Sequence, residues 1–148
     1  MRIMIRTAPL ILGVGLWSCG STNGPGNLIS VGGTYATAVT LGQNTCGNVT
    51  VQPNPTTVTH TAGATTLSLT HAGNTYNGTL SSGGTFTMSP LTLSSSGQTF
   101  TIGIQGTFST TGFQATVTVD VQQPGPPPTC QYVVQWVGTK NGAPNTIP

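Results

Sequence analysis

Alternation of polar and apolar side chains, with a period of two residues, is the feature that most constrains this sequence. In GFQATVTVDV, residues 112–121, phenylalanine, alanine and valine alternate with glutamine, threonine and aspartate. The same pattern, usually with threonine as the polar partner, recurs from residue 33 to the end of the chain. A period of two places alternate side chains on opposite faces of a β-strand, whereas a helix needs a period near 3.6. The sequence therefore predicts an all-β domain over residues 32–140.

The number and spacing of these segments indicate how the strands connect. We count about eight strands, and short stretches rich in glycine, asparagine and serine separate most of them. Sequential hairpins of this kind form an antiparallel up-and-down meander, and closing it removes the exposed edges that promote aggregation. We therefore expect a small closed barrel, with a two-sheet β-sandwich as the alternative. The last residues, 141–148, are expected to fray.

Two of the three cysteines support the closed arrangement. Cys46 follows the first predicted strand and Cys130 begins the last one. In a closed eight-stranded meander the first and last strands are antiparallel neighbours, so the end of one lies beside the start of the other. We therefore predict a disulfide between Cys46 and Cys130 across this seam, which requires an oxidising compartment.

The N-terminal residues have the features of a secretory signal. Arg2 and Arg6 precede an apolar run over residues 8–17, which is too short to span a bilayer. The sequence LWSC, residues 16–19, then resembles the lipobox of bacterial lipoproteins. That resemblance implies a signal peptide over residues 1–18 and a Cys19 carrying acyl chains such as palmitate, which anchor the protein to a membrane. A plain signal peptide with an incidental cysteine is the alternative.

The residues that follow Cys19 bear on where the protein resides. Residues 19–31 are rich in glycine, serine and asparagine, a composition typical of a flexible tether. Gly20 stands where lipoproteins retained in the inner membrane tend to carry aspartate. We therefore expect an exported protein at the outer membrane or the cell surface.

Charge excludes several classes of function. After residue 18, Lys140 and Asp120 are the only Lys, Arg, Asp or Glu residues in the sequence. Nucleic-acid binding is not expected, because no basic patch could neutralise phosphates. Asp120 is the only acidic residue of the chain and falls on the threonine face of its strand, which argues against paired-carboxylate chemistry and a Ser-His-Asp triad. We expect no catalysis and no cofactor.

The two histidines, His60 and His71, continue apolar faces of neighbouring predicted strands. Strand pairing is expected to leave them on the same face, a few residues apart or nearly opposite. A zinc site needs three or four ligands, and no carboxylate lies near them in the sequence. We therefore expect two hydrogen-bonded histidines inside the barrel or at its mouth and no metal.

Two roles remain for a barrel of this size. Its architecture resembles the lipocalin and avidin type of small barrel, although only GTY, residues 33–35, echoes a lipocalin motif. The favoured role is a filled, monomeric barrel with a structural or interaction function in the envelope, where an envelope protein is the expected partner. The alternative is a carrier of a small apolar ligand. The residues expected to line such a site are Tyr35, His60, His71, Tyr76, Phe86, Met88, Phe108, Phe113, Tyr132 and Trp136.

Overall fold

The structure is a computed structural model and describes residues 27–126 and 129–148. These residues form nine β-strands, and none of them belongs to a helix long and apolar enough to cross a membrane. The strands are β1 (Gly33–Asn44), β2 (Thr56–Thr59), β3 (Thr66–His71), β4 (Asn74–Leu80), β5 (Thr85–Met88), β6 (Leu91–Ser95), β7 (Gln98–Ser109), β8 (Gly112–Gln122) and β9 (Thr129–Lys140). The predicted signal peptide over residues 1–18 and the predicted lipidation site Cys19 lie outside the described residues.

Eight of the nine strands form a closed antiparallel barrel, which confirms the predicted fold. Consecutive strands pair from β1 to β5 and from β7 to β9. The sheet closes because β1 also pairs with β9 and β5 also pairs with β7. Inward residues are mainly apolar and outward residues are mainly Thr, Ser, Asn and Gln, as the alternation predicts.

The additional strand, β6, continues the line of β5 along β7. β5 pairs with residues 105–107 of β7, and β6 pairs with residues 98–102. Pro90 lies between β5 and β6, and proline has no backbone N–H to donate to a ladder. One wall of the barrel is therefore interrupted at Pro90 and resumes at Leu91.

The seam between β1 and β9 carries the predicted disulfide. The two strands pair from Tyr35 opposite Lys140 to Asn44 opposite Tyr132. Just beyond this ladder, Cys46 and Cys130 are bonded, with their Cα atoms 5.0 Å apart and a separation of 84 positions in sequence. The covalent bond thus joins the two strands that close the sheet, at what we call the disulfide end of the barrel.

The opposite end, which we call the plugged end, is covered by the segments that precede β1 and follow β9 in the sequence. The backbones of Ser30 and Thr146 pair with each other, and Val31 is fully buried. The expectation that residues 141–148 fray was therefore wrong. The expected tether likewise does not extend to residue 31, since Ile29 is also buried. Both segments cover the barrel with isolated apolar residues, and such residues leave no periodic pattern in the sequence.

Asn145 connects the plugged end to the barrel. Its Oδ1 accepts hydrogen bonds from the Tyr35 hydroxyl and the Lys140 ammonium, each at 2.7 Å, and its Nδ2 donates to the Ser109 carbonyl at 2.7 Å. The Tyr35 hydroxyl also contacts the Val31 carbonyl at 2.6 Å. Burial raises the pKa of Tyr35 to about 12, and the hydrogen bond with Asn145 opposes this shift. A network of buried polar groups with satisfied partners fixes this end.

Glycines on the inner face make room for large side chains. A Cβ atom on Gly106 would lie 2.7 Å from the ring of Phe86 and 2.8 Å from the Cβ of Ala115. A Cβ on Gly138 would overlap the ring of Phe113 in the same way. The aromatic rings therefore pack directly on backbone, which a larger residue would prevent.

Gly106→Ala is expected to lower the free energy of unfolding by about 2 to 3 kcal/mol, because overpacking a close-packed site forces its neighbours to shift. Gly103→Ala on the same strand is the matched control, since nothing lies within 4 Å of a Cβ there. We expect that change to stay within about 0.5 kcal/mol. Urea denaturation of both variants is the measurement, and equal stabilities would contradict the packing described here.

Candidate functional site

Nine of the ten residues expected to line a ligand site lie on the inner face of the barrel, and eight of these are buried. Tyr132 is half-buried and packs against the core. His60 is the exception, because it lies beyond the end of β2. The eight buried residues are Tyr35, His71, Tyr76, Phe86, Met88, Phe108, Phe113 and Trp136.

Four of these side chains fill the barrel beside the plugged end. The ring centroids of Phe86 and Phe108 are 4.8 Å apart, and those of Tyr35 and Phe113 are 5.2 Å apart. Phe108 and Phe113 are 5.7 Å apart in an edge-to-face arrangement. Offset and edge-to-face pairs at these distances are favourable aromatic packing. These four side chains therefore pack against one another as part of the hydrophobic core.

His60 and His71 do not meet. His60 lies at the plugged end, where its Nδ1 accepts from the Val31 N–H at 3.4 Å and its Nε2 lies 2.9 Å from the Ala64 carbonyl. Since a carbonyl only accepts, Nε2 carries the proton of the neutral ring. His71 is opposite Thr56 at the other end of the β2–β3 pair. Among the described residues, no three side chains of the His, Cys, Asp or Glu types group around a common metal position.

A chain of polar side chains holds His71 inside the barrel. Its Nδ1 lies 2.9 Å from the Thr56 hydroxyl, which lies 2.8 Å from the Thr37 hydroxyl. The Thr37 hydroxyl in turn donates to the Tyr35 carbonyl at 3.4 Å. Because that carbonyl can only accept, each hydroxyl donates toward it and Nδ1–H donates to Thr56. In the neutral ring, Nε2 is then an acceptor without a proton.

The imidazole of His71 stacks on Trp136. The ring centroids are 4.0 Å apart and the planes are inclined by 31°. Burial lowers the pKa of His71 below its ordinary value of 6.5, because desolvation disfavours the charged ring. The histidine is therefore neutral at pH 7 and belongs to the packed interior.

The disulfide end differs from the plugged end, since several of its inward residues are only half-buried. Residues 45–55, the connection between β1 and β2, pack over this end, with Cys46 and Val51 against the core. The inward apolar residues that remain partly accessible are Val39, Leu41, Leu91, Leu93, Phe100, Ile102 and Tyr132. Burial raises the pKa of the Tyr132 hydroxyl above its ordinary value.

A cavity of about 240 Å³ lies beneath this connection. Its walls include the rings of Phe100 and Tyr132 and the Cys46–Cys130 disulfide. The lining is completed by the amide residues Asn48, Gln98 and Gln123 and the apolar residues Val49 and Val121. The structure thus assembles an accessible, uncharged pocket from two aromatic residues, three amides, two valines and the disulfide, and we call it the disulfide-end pocket.

Hydrogen bonds hold the lining of the disulfide-end pocket in place. Gln123 donates from Nε2 to the Sγ of Cys130 at 3.1 Å, and Gln98 lies 3.5 Å from Gln123. The turn that carries Asn48 is held by Asn44, whose side chain accepts from the Cys46 N–H at 2.8 Å and donates to the Gly47 carbonyl at 2.6 Å. The pocket is therefore preformed on both sides of the disulfide.

Sequence reasoning identified Tyr132 of this pocket as a candidate residue but missed its three amides. Asn48 is two residues from Cys46, and Gln123 is seven residues before Cys130. The predicted disulfide brings the flanks of the two cysteines together, and this was the signal that could have found the two amides. Predicting that Gln98 lies at the pocket requires, in addition, the pairing of β7 with β8.

Comparisons of the chain with protein-family models, with curated proteins and with solved structures find no significant match.

The NMR titration of the imidazole resonances is expected to give His71 a pKa below 6.5. The unfolded chain then binds the proton more readily than the folded one, so stability should fall as the pH drops below about 6.5 and level off below the folded pKa. His71→Gln should remove this contribution to the slope of unfolding free energy against pH. A His71 pKa above 6.5 would contradict its stacking in a desolvated interior.

Proposed function

We propose that this protein is an exported lipoprotein of the cell envelope whose barrel has a structural or interaction role without catalysis. In this proposal, acyl chains on Cys19 anchor it to the outer membrane or present it at the cell surface. Residues 20–26 tether a monomeric barrel to that anchor. No nucleic acid or cofactor takes part, and an envelope component is the partner.

The observation that carries the proposal is the disulfide between Cys46 and Cys130. Structural disulfides persist in oxidising compartments and are rare in the cytosol. Export is therefore supported by the folded domain independently of the leader sequence. The LWSC sequence of residues 16–19 then supplies the argument for lipid attachment.

The contents of the barrel favour an interaction role over a carrier of apolar molecules. The aromatic cluster and the stacked His71 and Trp136 occupy the interior with the protein's own side chains. An eight-stranded barrel either fills in this way or holds one small ligand. The carrier alternative draws its support from the half-buried apolar residues at the disulfide end.

Labelling of growing cells with radioactive palmitate tests the anchor. The wild-type chain is expected to incorporate label and to sediment with outer-membrane density, because Cys19 would carry acyl chains on its thiol and on its new α-amine. Cys19→Ala should remove the label, whereas the matched control Ser21→Ala should keep it. A wild-type chain that remains unlabelled would overturn the lipoprotein proposal.

A further inference from the structure

The disulfide-end pocket combines aromatic surface with neutral hydrogen-bonding groups. Phe100 and Tyr132 contribute rings that are only partly buried, so their surfaces remain accessible from the pocket. Asn48, Gln98 and Gln123 each carry an amide with an acceptor oxygen and an NH₂ donor. A complementary ligand has an apolar face and a periphery of groups that both donate and accept.

Among the described residues, no charged side chain lines this pocket to pair with an ionic ligand. The two charged residues of the described chain both lie elsewhere. Asp120 is on the outer face, where its carboxylate accepts from Gln131 Nε2 at 2.7 Å. The Lys140 ammonium is at the plugged end, where it donates to the Gly32 carbonyl at 2.6 Å. A charged ligand would therefore lose hydration without gaining an opposite charge.

The size of the pocket restricts the ligand to a single ring. Its volume of about 240 Å³ is below the range of about 300–1,000 Å³ found for sites that enclose drug-sized ligands. A purely apolar ring would fit the two aromatic side chains but would leave unused the hydrogen-bonding capacity that remains on the amides, since the bonds of Gln98 and Gln123 engage only part of each group. The chemistry of the lining therefore favours a ring with hydroxyl groups.

We infer that the disulfide-end pocket binds one neutral sugar ring, with its C–H face on Phe100 or Tyr132 and its hydroxyls on the amides. Such a ring could be a free monosaccharide or the terminal residue of an envelope glycan, since both present the same chemistry. The inference rests on the proposed interaction role and specifies the partner that this end of the barrel recognises.

The Cys46–Cys130 disulfide positions both sides of the site. Asn48 follows Cys46 by two residues, and Gln123 contacts Cys130 directly. Next to the disulfide, the Gln131 N–H donates to the Thr45 hydroxyl at 2.9 Å, which adds to the fixed geometry. A preformed pocket avoids the entropy loss of ordering its loop on binding, which benefits a small ligand with few contacts.

Saturation-transfer NMR on the full chain tests this inference. The protein is purified from membranes in a zwitterionic detergent, because detergents with sugar headgroups would compete. The probes are the methyl glycosides of glucose, galactose, mannose and N-acetylglucosamine, together with an immobilised array of neutral glycans. Binding of at least one glycoside supports a monosaccharide site, and binding to the array alone supports the terminal residue of a glycan.

Asn48→Ala is the decisive variant, because its side chain is exposed and its loss should not disturb folding. Losing one amide contact is expected to weaken binding about tenfold. Asn77→Ala, an exposed amide on the outer face of β4, is the matched control and should leave binding unchanged. The inference is overturned if neither glycosides nor array bind, or if Asn48→Ala binds as the wild type does.

The outcomes separate this inference from the proposed function. A palmitate-labelled protein that binds neither probe retains the lipoprotein proposal and loses the sugar site. A chain that binds sugar without being labelled retains the site and loses the anchor. Binding of the apolar dye N-phenyl-1-naphthylamine in place of the glycosides would overturn the sugar inference in favour of the carrier.

Discussion

Closure of the sheet at the β1–β9 seam is the constraint on which the other features of the structure depend. β1 and β9 are twelve-residue strands, the first and the last along the sequence of the described domain. Their pairing converts an open meander into a barrel. Without it, two long edges would present unpaired backbone groups to water and to other chains. The disulfide at this seam closes a loop of more than 80 residues. A cross-link over such a length stabilises by roughly 4 to 5 kcal/mol through the lost entropy of the unfolded chain.

Closure also produces two unlike ends. At the plugged end, inner glycines let aromatic rings pack on backbone, and residues 28–31 and 145–147 cover them through the hydrogen bonds of Asn145. At the disulfide end, the connection between β1 and β2 covers the wall incompletely and leaves the uncharged pocket. The outer face between these ends is rich in hydroxyl groups and carries the Asp120 carboxylate.

The fold was predictable because its main determinants are periodic. Alternation identified the eight barrel strands, and the positions of Cys46 and Cys130 identified the closing pair. The contents of the two ends were not predictable, because Asn145 and Gln98 reach their partners through irregular segments or non-local pairing that leave no period in the sequence. His60 and His71 illustrate the same limit: both continue apolar faces, but the register of β2 and β3 places them at opposite ends. Pro90 accounts for the break between β5 and β6, but a proline by itself does not indicate where a strand resumes.

Native-state hydrogen exchange of the full chain tests closure most directly. The Phe108 amide donates to the Gly84 carbonyl at 2.9 Å across the β5–β7 junction, and the Thr45 amide donates to the Gln131 carbonyl at 2.9 Å beside the disulfide. A closed barrel predicts that both amides exchange slowly, with Phe108 protected nearly as well as the central β7–β8 amides. Rapid exchange of Phe108, at the rate of an exposed loop, would contradict closure and favour an open sheet or a two-sheet sandwich.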